Sequence, residues 1–172
     1  RDRRNLIGGF REAGTLTRAG NVISGNGASG VEILGEGTDE NIILANKIGT
    51  DKNGQTALPN GESGVLISDG AKRNQIEGNM IAGNKENGVE ITGEGTDENK
   101  VYDGSIGTHV DGNHPLPNAG HGVLISYGAK KNEISGLGIS GNKGNGVKIE
   151  GIGTDENKVY ASYIGTLSLI HI

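Results

Sequence analysis

Imidazole, carboxylate and phenol groups are the side chains here that could do chemistry. The stretch HVDGNHPLPNAGH from His109 gathers His109, Asp111, His114 and His121, the mixture that a metal ion or an acid–base relay requires. Glu32 and Glu90 occupy the same place in two copies of a Gly-Val-Glu-Ile phrase, and paired carboxylates are what glycosidic-bond cleavage uses. The phrase Gly-Thr-Asp-Glu-Asn occurs three times, from Gly37, Gly95 and Gly153, and clustered carboxylates suit a hard cation such as calcium. Tyr102 and Tyr160 each follow a Lys-Val pair, and an outward tyrosine can lay its ring against a sugar.

These groups recur because the chain repeats itself. Gly35, Gly93 and Gly151 begin three related phrases, GEGTDENIILANKIGT, GEGTDENKVYDGSIGT and GIGTDENKVYASYIGT, spaced 58 residues apart (93 − 35 and 151 − 93). Each 58-residue unit divides again. Asn recurs two places before an aliphatic residue at Asn5, Asn41, Asn74, Asn99, Asn132 and Asn157, with gaps of 33, 25, 33 and 25 from Asn41 onward. The longer coils carry related inserts, DKNGQTALPN from Asp51 and HVDGNHPLPN from His109, and the first coil carries FREAGTLTRAG from Phe10.

Three strand signals line up in every coil. One passes through Ile7, Ile43, Ile76, Val101, Ile134 and Val159, and the next through Ile23, Ile48, Ile81, Ile106, Ile139 and Ile164. The third is Gly-Val-x-Ile at Gly30, Gly64, Gly88, Gly122 and Gly146, whose Val and Ile stand two apart and so face the same way in a strand. Short strands broken by Gly and Asn at a fixed interval cannot bury a face alone and must stack. The pattern predicts an all-β chain, a single-stranded right-handed parallel β-helix of five to six rungs. Asn26, Asn60, Asn84, Asn118 and Asn142, four residues before each Gly-Val-x-Ile, are predicted to form a ladder along its turns.

Stacking changes the meaning of the charged groups. The pairs before each coil-opening Asn are Arg3-Arg4, Asp39-Glu40, Lys72-Arg73, Asp97-Glu98, Lys130-Lys131 and Asp155-Glu156. Basic and acidic pairs alternate, so each acidic pair is expected to sit between basic pairs about 4.8 Å above and below. A cation at Gly-Thr-Asp-Glu-Asn would meet ammonium and guanidinium groups, so no calcium is expected there. This two-rung alternation also accounts for a period of 58 rather than 25.

The other candidates are weighed the same way. The counterpart of the histidine-bearing insert has Asp51, Asn53, Thr56 and Ser63 at the four positions, and its turn residues explain the loop without a ligand. It is therefore expected to be solvated, with no metal and no cofactor. Glu32 and Glu90 would stand two rungs apart, about 9.6 Å, with Leu66 between them; they are expected to be surface charges, and no catalytic residue is assigned. Tyr102 and Tyr160 remain the candidate ligand-binding residues, for carbohydrate.

The phrases NVISGN (Asn21 to Asn26), Gly-Val-x-Ile and NKIGTDKNGQTALPN (Asn46 to Asn60) resemble the parallel β-helix repeats of large bacterial secreted and surface proteins. More distantly, they are similar to the pectate-lyase-like superfamily. The resemblance covers nearly all of the chain up to Thr166. It implies an extracellular or cell-surface location and a structural or adhesive repeat segment that contacts polysaccharide. The alternative it admits is a piece of a polysaccharide lyase, glycoside hydrolase or epimerase whose catalytic rungs lie outside this segment.

Composition sets outer bounds. With 33 Gly, 3% aromatic residues and no Cys among 172 residues, the core must be made of repeated aliphatic contacts, without disulfides. A net charge of −5 argues against a nucleic-acid partner, and no apolar run is long enough to insert into a bilayer. Residues 1–166 are expected to be a segment of a longer solenoid that continues end to end with further repeats, and to associate through open edges when isolated. Residues 167–172, LSLIHI, break the pattern and are expected to be a non-native tail.

Overall fold

The computed structural model describes residues 3–12, 15–17 and 20–166; the tail expected at 167–172 lies outside them. The three strand signals become three parallel sheets. The first has six strands, Leu6–Gly8, Ile42–Leu44, Gln75–Glu77, Lys100–Tyr102, Glu133–Ser135 and Lys158–Tyr160, stacked in that order. The second stacks Val22–Ile23, Lys47–Ile48, Met80–Ile81, Ser105–Ile106, Gly138–Ile139 and Tyr163–Ile164. The third stacks Val31–Leu34, Val65–Ser68, Val89–Thr92, Val123–Ser126 and Val147–Glu150. Each strand pairs with its equivalent one coil away rather than with its neighbour in sequence, which makes the fold a parallel β-helix, and parallel crossovers of this kind are right-handed.

The register follows the repeat residue by residue. Ile7 pairs with Ile43, Ile43 with Ile76, Ile76 with Val101, Val101 with Ile134 and Ile134 with Val159. Identical aliphatics therefore form columns inside the coil, and Ile43, Ile48, Ile67, Ile91, Ile125, Ile134 and Ile139 are wholly buried. Each fully buried Val or Ile contributes about 1.5–3 kcal/mol. Ala71 and Ala129 fill the narrow corner after the third sheet.

Three asparagine columns hold the turns. The predicted one runs Asn26–Asn60–Asn84–Asn118–Asn142, each side-chain amide donating to the next Oδ1 at 2.8–2.9 Å. A second column is formed by the coil-opening Asn5, Asn41, Asn74, Asn99, Asn132 and Asn157, linked at 2.8–3.1 Å. A third, not anticipated, runs Asn21–Asn46–Asn79 just before the second sheet. It stops where the next coils place Gly104 and then Leu137, which is 2% exposed and joins the core. The Phe10 insert folds as an antiparallel hairpin of Phe10–Glu12 with Thr15–Thr17.

The backbone turns at fixed points. Arg4, Glu40, Arg73, Glu98, Lys131 and Glu156, the second member of each charged pair, all have φ between 55 and 61°. Left-handed backbone on a non-glycine residue is costly alone; here every coil repeats it and the following Asn column fixes it. The last coil is uncovered: Ile149, Val159 and Ile164 are 42%, 38% and 45% exposed, whereas Ile125, Ile134 and Ile139 one coil earlier are buried.

Candidate functional site

The first sheet presents the chemistry-bearing face. Its strands point one residue inward and two outward, giving two outward columns. One reads Leu6, Ile42, Gln75, Lys100, Glu133, Lys158 and the other Gly8, Leu44, Glu77, Tyr102, Ser135, Tyr160. Tyr102 and Tyr160 thus stand on one column, two rungs apart, with Ser135 between them. The Tyr102 hydroxyl lies 2.8 Å from both Gln75 Oε1 and Glu77 Oε2, which fixes the ring along the column and helps to cover Glu77. Tyr160 is 50% exposed. Leu44, on this outward column, is nevertheless buried.

Beside these columns runs an open groove of about 750 Å³, lined by Arg73, Gln75, Glu98, Lys100, Lys131 and Glu133 among others. Its side chains alternate in sign along the coil axis, and Lys100 Nζ pairs with Glu133 Oε2 at 3.1 Å. Alternating charge and hydroxyl groups beside aromatic rings offer donors, acceptors and apolar faces together, the combination a polyhydroxylated chain can use.

The expected alternation of charge forms side-chain ion pairs chiefly at its first acidic pair. Asp39 Oδ2 lies 3.4 Å from Arg3 and 3.1 Å from Arg73, and Glu40 lies 2.9 Å from Arg4 and 3.8 Å from Arg73. Asp39 Oδ1 also accepts the Lys72 amide at 3.1 Å. At the next acidic pair, Lys72 Nζ is 4.0 Å from Asp97, while Lys130 contributes its backbone amide to Asp97 Oδ1 at 2.9 Å. Arginine's fork reaches two carboxylates where the shorter-range ammonium does not.

Glu40 carries a consequence in pH. The hydrogen bond from Arg4 Nε holds its carboxyl below the ordinary glutamate range, with the charges of Arg4 and then Arg73 acting the same way. A lowered carboxyl contributes fully at neutral pH, above its unfolded value, and loses that contribution as pH falls through the folded one. In an NMR titration of side-chain carboxyls, Glu40 is expected to titrate below an ordinary glutamate. Arg4→Ala should move its midpoint upward, and an unmoved midpoint would show that Arg4 is not the cause.

The other sequence candidates are placed as follows. Glu32 and Glu90 both lie in register with Leu66, two rungs apart on the third sheet. Glu90 Oε2 accepts hydrogen bonds from Ser63 Oγ at 2.9 Å and Asn87 Nδ2 at 3.1 Å, while Glu32 is exposed. His109, Asp111 and His114 bring one ligand atom each within 4.8 Å of one another, a closeness the sequence reading did not anticipate. His121 is not among them; its Nδ1 accepts the Asn145 amide at 2.9 Å.

Against known proteins, a search of curated sequences finds no match. Among solved structures the chain is similar to a double mutant of the periplasmic alginate epimerase AlgG, with a TM-score of 0.54 and 15% identity. That alignment covers 79% of this chain and 36% of the epimerase, so the chain spans little more than a third of that protein, and the likeness is one of fold. The family model described as a right-handed beta helix region matches residues 10–164. Nearly the whole described coil lies inside that match, and with its three parallel sheets and in-register columns the chain belongs to the right-handed β-helix family.

Proposed function

We propose that this chain is a non-catalytic structural and adhesive segment of a secreted or cell-surface bacterial protein, and that the outward face of its first sheet contacts carbohydrate. The observation that carries this reading is the column holding Tyr102 and Tyr160 beside the groove of alternating charge. Near-identical rungs repeat the same surface along the coil axis, which suits a chain-like polymer better than a single reaction centre. The ring of Tyr102 is pre-set by Gln75 and Glu77, so little rotamer freedom is lost on contact. The uncovered last coil suits continuation with further repeats, each burying the columns that end at Ile149, Val159 and Ile164.

The test is binding without turnover. The chain is to be titrated by calorimetry with alginate, other uronate polymers and neutral polysaccharides, and the mixtures assayed for new unsaturated or reducing ends. Binding is expected with at least one polymer, weakened about five- to tenfold by Tyr160→Ala, since one aromatic contact is worth about 1–1.5 kcal/mol. Absence of binding to every polymer would remove the carbohydrate reading.

A second reading is favoured by the fold neighbour, an alginate epimerase that is much longer than this segment. On that reading the segment supports catalytic rungs elsewhere in a larger enzyme. Turnover by the longer protein, abolished by substitutions outside residues 1–166 and spared by those at Glu32 and Glu90, would select it.

A further inference from the structure

We propose that the loop from Thr108 to Pro115 is a metal site in which His109, Asp111 and His114 together hold one divalent cation of the zinc class. The loop is closed at its base by an antiparallel bridge between Thr108 and Pro115 and by the His109 amide donating to the His114 carbonyl at 2.9 Å. That closure sets the first and last histidines side by side, with ring centres 5.6 Å apart. Asp111 projects between them from the turn: its Oδ1 accepts the Asn113 amide at 2.9 Å, and its Oδ2 lies 2.7 Å from His114 Nδ1.

The molecule contains its own control. The loop from Thr50 to Ala57 closes in the same way, by a Thr50–Ala57 bridge and an Asp51 amide donating to the Thr56 carbonyl at 2.9 Å. Its Gly54 amide donates to the Asp51 carbonyl at 3.0 Å, as the Gly112 amide donates to the His109 carbonyl at 2.9 Å. The same shape is thus reached with Asp51, Asn53 and Thr56 where the later loop has His109, Asp111 and His114. The two imidazoles are not needed to build the turn, and they are both placed where a shared ion would sit. The loops also touch across the short coil between them, the Val110 amide donating to the Gly54 carbonyl at 3.1 Å, which anchors the donor set to the body.

Donor chemistry selects the ion. Two imidazole nitrogens and one carboxylate oxygen suit a borderline cation such as Zn²⁺, whereas Ca²⁺ and Mg²⁺ prefer all-oxygen shells. Zn–N and Zn–O distances of about 2.0–2.2 Å require the three donors to draw together from their 4.8 Å spread, a shift open to exposed side chains. Three protein ligands leave a fourth position for water or a group from another molecule.

The experiment is a calorimetric titration of the full, metal-stripped chain with Zn²⁺, alone and after chelator. One equivalent is expected to bind. Restoring the sister loop's residues with His109→Asp, Asp111→Asn and His114→Thr should abolish it and leave the metal-free melting curve in place. Single His114→Thr should weaken binding by about tenfold or more, and His121→Ser should retain one equivalent. Lack of any stoichiometric binding, full binding in the triple or the single loop variant, or loss in His121→Ser would each overturn the assignment.

Discussion

Asn99→Ala is expected to remove on the order of 4 kcal/mol of folding stability, far more than its one short side chain suggests. Asn99 is fully buried. Its Oδ1 accepts both the Asn74 backbone amide at 2.9 Å and the Asn74 side-chain amide at 3.0 Å. Its Nδ2 donates to Asn132 Oδ1 and to the Ala71 carbonyl, both at 3.1 Å. Alanine leaves the Asn74 amide and the Ala71 carbonyl inside the coil without those partners, and each buried unmade bond costs about 1–3 kcal/mol. Leucine should fare no better, because it adds volume to a turn built for polar contacts. Urea denaturation of the variant tests this, and a loss below about 1 kcal/mol would show that the column is decoration. Asn5, at the exposed end of the same column, should tolerate alanine far better.

Gly88→Ala is expected to be of similar severity for the opposite reason, excess rather than missing atoms. A Cβ at Gly88 would stand 2.6 Å from the Gly122 carbonyl oxygen and 2.5 Å from Ile106 Cγ2. The same approach recurs at Gly64, against the Gly88 carbonyl at 2.7 Å, and at Gly122, against the Gly146 carbonyl at 2.5 Å. A side chain can move aside, but the carbonyl belongs to the next rung and its position is set by the register. Relief therefore requires prising two rungs apart, at a cost of about 3 kcal/mol or more. A thermal melt of Gly88→Ala should show a large drop, while Gly27→Ala, where a Cβ meets nothing within 4 Å, should be nearly silent.

What the sequence made legible was whatever the repeat writes several times over. The aliphatic columns, the order of the sheets and the Asn26-to-Asn142 ladder follow from residues that recur at one phase, and the structure pairs them as expected. The column of Asn21, Asn46 and Asn79 escaped notice because Gly104 and Leu137 interrupt it, and a signal with three members is hard to separate from ordinary turn asparagines. The Phe10 hairpin occurs in only one coil, so no phase marks it. The alternation of charge was visible, but which carboxylates gain close partners depends on whether arginine or lysine stands opposite, as at Asp39 against Asp97.

The candidate site was legible to a lesser degree. That Tyr102 and Tyr160 share a column follows from the repeat, whereas the clasp of Tyr102 by Gln75 and Glu77 joins side chains from different coils and has no sequence spacing of its own. The convergence of His109, Asp111 and His114 depends on the loop folding back on itself through the His109–His114 backbone bond. From the sequence alone, the same residues read as an open, solvated turn.

In-register stacking is the claim on which the columns, the charge ladder and the tyrosine face all depend, and engineered cysteine pairs test it most directly. The chain has no cysteine of its own, so any cross-link reports the introduced pair. Gln75 and Lys100 are register partners on adjacent rungs, at the roughly 5 Å separation a disulfide accepts. Gln75→Cys with Lys100→Cys should therefore oxidise readily into an intramolecular bridge, whereas Gln75→Cys with Tyr102→Cys, displaced by two residues to roughly 8 Å, should stay reduced. A bridge in the displaced pair and none in the register pair would contradict the stacking.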